Sequence, residues 1–146
     1  SEISAAFALE QLKKLKKKIK TRIKNFEKKN KFLKINNKHF NLPTQIQGIK
    51  TGWLAYPVII KKNSKIKRRD MQIYLEKRGI QTRTIFTGNI LRQPIMKKKK
   101  YKKVKNCSVN SNNIMKNGIL IGCHQGLKNI EIKHMFKSIE SFLKNY

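Results

Sequence analysis

Three runs rich in β-branched and aromatic residues, Thr51–Lys61, Gln81–Phe86 and Ile119–Cys123, stand too far apart for any two to be joined by a tight turn. The first, TGWLAYPVIIK, is apolar on both of its faces, as a well-buried strand is. The stretches between the runs carry helical spacing and lack the paired turn residues of a hairpin. Crossover connections are therefore expected, and the chain is restricted to an α/β fold with a small sheet of about three strands. Pro57 has no N–H to give to a ladder, which puts it at an edge or a bulge.

The helices follow from the periodicity. Ser1 to about Asn30 predicts one long helix, with Ser1 as cap and Glu2 at the positive end of its dipole. Ala5, Ala8, Leu12, Leu15, Ile19, Ile23 and Phe26 form a continuous apolar stripe. The AAFAL opening is apolar nearly all round, so that end is expected to be the more deeply buried, against a missing domain or a second subunit. Asn30–Gly48 reads as a loop with room for a short strand, and Lys61–Lys65 as a polar turn. Lys67–Arg78 predicts a short helix with Met71, Tyr74 and Leu75 inward and Gly79 as its stop. Asn106–Asn117 holds another, capped by Ser108 or Ser111, and Ile119–Cys123 is followed by a turn at His124–Gly126. From Asn129 onward Ile132, Met135, Phe136, Ile139, Phe142 and Leu143 share one helical face.

A length of 146 residues allows one domain with a genuine core. A chain that opens on Ser1 and enters a helix at once reads as a piece of a longer protein or a trimmed form of one. No apolar run approaches the ~18 residues of a membrane span. Cys107 and Cys123 have neither disulfide-framework nor zinc spacing, which suits a reducing cytosol and two thiols buried or half-buried as small side chains. The net charge of +29 raises the question of nucleic acid. The excess is nearly all lysine, spread along the whole chain among many Asn and Ile, as an A+T-rich genome produces. The run Lys97–Lys105 has one tyrosine and is a poor stacking platform for bases, so a solvated loop is expected there.

Arginine is scarce: Arg22, Arg68, Arg69, Arg78, Arg83 and Arg92 are the six present. Two fall in Gly79–Pro94, GIQTRTIFTGNILRQP, where Ile80, Ile85 and Phe86 suit a buried strand and Thr87, Gly88 and Asn89 turn polar. A strand that ends in a glycine turn beside arginines presents bidentate donors to a phosphate or carboxylate, which lysine cannot match. The alternative is a strand end with a surface turn, its arginines paired to Glu76 or Glu131. Asn89 is left between a hydrogen bond to a ligand hydroxyl and support of the turn. Trp53 is expected as an anchor of the core or of a domain interface.

These motifs resemble the DegT/DnrJ/EryC1/StrS family of pyridoxal-phosphate (PLP) enzymes that modify nucleotide-linked keto-sugars. SEISAAFALEQLKKL is similar to the helix that opens the family's C-terminal part, and GWLAYPVII to the first strand of its small domain. RGIQTRTIFTGNILRQP resembles the family's "GI-x-TR-x-x-F-x-GN-x-x-RQP" segment in the keto-sugar 3-dehydratase branch. NSNNIMKNGILIGCHQGL resembles the segment ending in "G-x-H-x-GL". The resemblance implies an aspartate-aminotransferase-like fold. Residues 1–30 would be a helix linking to a missing large domain, and 31–146 the small C-terminal domain. It implies a PLP cofactor held mainly by that missing domain, a nucleotide-sugar substrate, a homodimer at full length and a cytoplasmic setting. Arg83, Asn89, Arg92 and His124 become the candidate substrate-binding residues; no catalytic or metal-binding residue is assigned. A lone His in a turn is more often structural, which is the alternative reading of His124. The chain alone is expected neither to bind PLP nor to turn over substrate. A nucleotide-sugar aminotransferase of the same family, a basic nucleic-acid-binding module and a non-catalytic interaction domain are the readings left open.

Overall fold

A computed structural model describes residues 1–102, 104 and 107–146. The elements run α1 (Glu2–Ile35), β1 (Phe40–Asn41), β2 (Ala55–Ile60), α2 (Arg68–Glu76), β3 (Thr82–Thr84), α3 (Val109–Asn117), β4 (Gly118–Gly122) and α4 (Asn129–Leu143). Two short 3-10 helices, Ile90–Arg92 and Pro94–Lys98, follow β3. The α/β class is as the spacing predicts, with a fourth strand, β1, in the loop where a short one had room.

The sheet order is β1-β2-β4-β3, and every ladder is antiparallel. Because β2 and β3 both run antiparallel to β4, they run parallel to each other with β4 between them. The connection β2–α2–β3 is thus the crossover that the missing hairpin signals require, and β4 fills the gap it leaves. Pro57 pairs with Leu120 on the β4 side, while β1 reaches only Ile59 and Ile60. At Pro57 the strand is therefore an edge, where a missing N–H leaves no ladder bond unmade.

Alternate residues of β2 and β4, Tyr56, Val58 and Ile60 with Ile119 and Ile121, point into the core. They meet Phe26 and Leu33 of α1, Met71 and Leu75 of α2, and Met135, Ile139 and Phe142 of α4. These are the inward faces that the helical spacing predicts for α2 and α4. Gly79 stops α2 in the left-handed region at φ 72. Trp53 stacks on Phe26 with ring centroids 4.0 Å apart and donates its indole N–H to Gln45.

Four expectations are corrected. The helix expected to end near Asn30 continues to Ile35, and its AAFAL opening is exposed instead of deeply buried. Its buried residues are Asn25, Phe26, Lys29 and Leu33, because the chain folds back only over the later turns. The strand expected over Gln81–Phe86 shrinks to Thr82–Thr84, since β4 offers it partners only from Ile119 to Ile121. Cys123 is buried but Cys107, just ahead of α3, is exposed. Of the basic run, Lys97 and Lys98 close a 3-10 helix, while Lys103, Lys105 and Asn106 lie outside the described residues. Among the described residues no helix is long and apolar enough to cross a membrane.

Candidate functional site

Among the described residues α1, α2 and α4 send their buried side chains into the core on one face of the sheet, and the opposite face meets α3 at one end. Arg83 on β3 lies opposite Leu120 on β4, which in turn lies opposite Pro57 on β2. These three point away from the core, and Arg83 is exposed. The face is closed at one end over Gly118, where a Cβ would meet Ile114 O at 2.6 Å and Ile85 Cδ1 at 2.7 Å. Arg83 therefore stands on a half-covered shelf beside the β3–β4 edge. No hydrogen bond or ion pair holds it among the described residues.

Past Thr84 the chain leaves the sheet abruptly. Gly88 N–H donates to Ile85 O at 3.0 Å, closing a turn. Inside it Phe86 takes φ 45, a left-handed conformation, and its side chain is 88% exposed. Ile85 is half-buried against Gly118, so of the apolar pair expected in a buried strand only Ile85 faces protein. A non-glycine residue held left-handed costs roughly 1–2 kcal/mol, and no apolar burial of Phe86 offsets it. Phe86→Gly is accordingly expected to leave the melting temperature unchanged or raised, whereas glycine for a core phenylalanine costs several kcal/mol. A thermal melt of the variant is the measurement, and a large drop would mean that the ring is packed.

The polar end of this turn is organised by Asn112 on α3. Asn89 Nδ2 donates to Asn112 Oδ1 at 2.8 Å, and Arg92 Nε donates to the same oxygen at 3.2 Å. Asn89 Oδ1 accepts from Leu91 N–H at 3.0 Å, capping the first 3-10 helix. Asn89 is buried, and both ends of its amide make hydrogen bonds that hold the turn. Arg92 is exposed and is fixed through Nε alone, which leaves its terminal N–H groups directed to no partner among the described residues. The carboxylates offered as partners are engaged elsewhere. Glu76 accepts from Thr82 Oγ1, Glu131 accepts from Lys128 N–H, and the ion pair among the described residues is Lys13–Glu10.

His124 is not part of this group. It follows Gly122, the far end of β4, which lies about 14 Å of strand from Gly118 at about 3.4 Å per residue. Its Nδ1 accepts from Gly126 N–H at 3.2 Å, and its carbonyl accepts from Asn25 Nδ2 at 2.9 Å. The ring lines a second place, a cavity of about 510 Å³ that Lys29 also lines. The structure thus joins Asn89 and Arg92, sets Arg83 on the open face and puts His124 elsewhere. Sequence reasoning missed Asn112, which nothing distinguishes within the SNN run, and Lys29. The latter did carry a signal: it sits between Phe26 and Leu33 on the inward stripe of α1.

The described residues do not assemble a site for PLP. Lys29 is the solvent-shielded lysine that could meet an aldehyde. The carboxylate on the same cavity wall, Glu131, is taken up by the Lys128 amide, and no arginine among the described residues lines the cavity to hold a phosphate. No step of PLP chemistry is assigned to this chain.

The family model described as "DegT/DnrJ/EryC1/StrS aminotransferase family" matches residues 1–140. The GDP-4-keto-6-deoxy-D-mannose 3-dehydratase of Escherichia coli O55:H7 is 36% identical over 124 residues, 85% of this chain and 31% of that protein. The lipopolysaccharide biosynthesis protein RfbH of Salmonella typhimurium is 27% identical over 142 residues, 97% of this chain and 32% of that protein. The solved structure of the E. coli GDP-4-keto-6-deoxy-D-mannose-3-dehydratase with bound hydrated PLP superposes with TM-score 0.83 at 31% identity, over 94% of this chain and 34% of that one. The chain spans about a third of the length of the curated relatives it matches.

Proposed function

The chain belongs to the DegT/DnrJ/EryC1/StrS aminotransferase family, and from that premise we propose that it is the small-domain part of a PLP-dependent enzyme acting on a nucleotide-linked 4-keto-sugar. Within the family the reading is a 3-dehydratase of deoxysugar and lipopolysaccharide biosynthesis, supported by the likeness to GDP-4-keto-6-deoxy-D-mannose 3-dehydratases. PLP and its chemistry belong to the large domain of such an enzyme. This chain contributes substrate-facing donors.

The observation that carries the reading is the state of Arg92. Its Nε is fixed on Asn112, and its remaining N–H groups meet no partner among the described residues beside the exposed turn. An arginine anchored on one edge keeps its fork preorganised for a phosphate or a sugar oxygen. Arg83 adds a second cation on the uncovered sheet face, and Asn89 positions Arg92 through their shared acceptor. The exposed apolar residues of α1, among them Phe7 and Leu12, support a docking face toward the large domain or the second subunit of a cytoplasmic homodimer.

The test is kinetics on Arg→Lys and Arg→Ala variants at positions 83 and 92, in a protein that carries a PLP domain ahead of Ser1. Loss of a charge-assisted substrate contact is expected to cost roughly 1.5–3 kcal/mol, about ten- to a hundredfold in affinity. Lysine should restore little of it, because a point charge does not reproduce the bidentate fork. Melting temperatures should move little, since both side chains are exposed. Unchanged kinetics in all four variants would return both arginines to scaffold.

A further inference from the structure

The cavity that Lys29 and His124 share lies apart from Arg83 and Arg92, so its chemistry does not depend on the sugar-enzyme assignment. Lys29 is 0% exposed, and its Nζ meets no hydrogen-bond acceptor among the described residues. Leaving a buried donor unmade is costly, and more so for a cation. Burial pushes the Lys29 amine below its usual pKa; the Cys123 thiol opposes that shift and Lys28 adds to it. Lys29 lines a cavity of about 510 Å³, within the size range of ligand pockets, and its amine lacks only an acceptor.

The rest of the wall defines that acceptor. Ile80, Ile121, Leu127, Ile130 and Met135 make it largely apolar. Two of the polar residues on it are already engaged: Glu131 with the Lys128 amide, and His134 Nε2 with Arg78 O at 2.9 Å. His124 is different. Because Gly126 N–H donates to its Nδ1, the neutral ring carries its proton on Nε2, which has no partner among the described residues. The uncommitted groups are Lys29 Nζ and His124 Nε2, both donors, and the exposed Gln81 amide, which can donate or accept. A phosphate brings more charge than one amine beside the Glu131 carboxylate can balance, and more oxygens than these few donors in a largely apolar wall can satisfy. A single carboxylate with a hydrocarbon tail matches the count and the lining.

We propose that this cavity binds a small aliphatic monocarboxylate, its carboxylate received by Lys29 Nζ and His124 Nε2 and its tail laid against Ile80, Ile121, Leu127 and Met135. The carboxylate gives the buried amine its missing partner.

The test titrates the 146-residue protein with hexanoate and follows backbone amides by two-dimensional NMR, with hexanol and hexylammonium as tail controls. Hexanoate is expected to shift the amides of Ile121, Gly122 and Leu127 saturably. Hexanol should bind at least tenfold more weakly, and hexylammonium should not compete. Lys29→Met, which keeps the apolar stem, should weaken hexanoate at least tenfold with the spectrum still dispersed. His124→Phe should weaken it by a smaller factor. Hexanol binding as tightly as hexanoate would overturn the proposal on the unaltered protein alone. So would hexanoate binding retained by Lys29→Met, or shifts confined to surface lysines.

Discussion

Gly88→Ala is expected to destabilise the protein by about 3 kcal/mol or more, the sum of a left-handed backbone penalty and an overpacked contact. Gly88 has φ 69, and a Cβ there would lie 2.3 Å from Met115 Cβ and 2.5 Å from Met115 Cα. The second distance matters more than the first. A clash with the end of a flexible side chain is relieved by a rotamer change, but Cα moves only with α3. The same helix carries Asn112, on which Asn89 and Arg92 converge. Displacing it should loosen Arg92 as well as the core. Met115→Ala in the same chain is therefore not expected to rescue Gly88→Ala, because both Cβ and Cα of residue 115 remain. Chemical denaturation of the single and double variants measures this. Full rescue by Met115→Ala would show that the turn can part from α3 cheaply.

Lys29→Met should act in the opposite direction and stabilise the protein at neutral pH by about 1–3 kcal/mol, the cost of an unsatisfied buried donor. Methionine keeps the length and apolar character of the lysine stem, so the packing between Phe26 and Leu33 is retained. The gain carries a pH signature. The folded-state pKa of Lys29 lies below its usual 10.5, first through desolvation. Between those two values the unfolded chain binds the more protons, so wild-type stability rises with pH across that interval. The penalty is full below the folded-state pKa and has gone above 10.5. The advantage of Lys29→Met should thus be largest at the low end and narrow on the alkaline side. Cys123 and Tyr56 are pushed upward by burial, and their contributions are lost as pH rises. Tyr56 is present in both proteins, but Cys123 is coupled to Lys29, whose charge lowers the thiol's pKa, so the difference between the two proteins reads the Lys29–Cys123 pair. A variant less stable than wild type at every pH would mean that the amine has a partner.

The placement of the candidate site shows how far residue order reaches. The scarcity of arginine and the polar turn after the strand were enough to single out Arg83, Asn89 and Arg92. They did not separate the roles. Asn89 is buried and Arg92 exposed, and both are held on one side chain, Asn112, 23 residues from the first and 20 from the second along the chain. His124 belonged to the same motif-based set, yet it sits at the other end of β4 and lines a cavity that Lys29 also lines.

Helix α2 with its stop at Gly79, the inward face of α4, and strands β2 and β4 could be read directly from the amino acids. Each is set by spacing within one element, and a residue's backbone preference and the period of its apolar neighbours travel with the chain. Strand pairing is different in kind. That β4 lies between β2 and β3 depends on hydrogen bonds between segments tens of residues apart, which no local period encodes. The same holds for burial at α1. Its apolar stripe is continuous from Ala5 to Phe26, yet only its later turns are covered, because the described chain brings the sheet and α4 to that half alone. Phe86 and Lys29 mark the two ways such reading fails. An apolar side chain is left in water where the strand runs out of partners, and a charged one is drawn inside where its helix happens to meet the core.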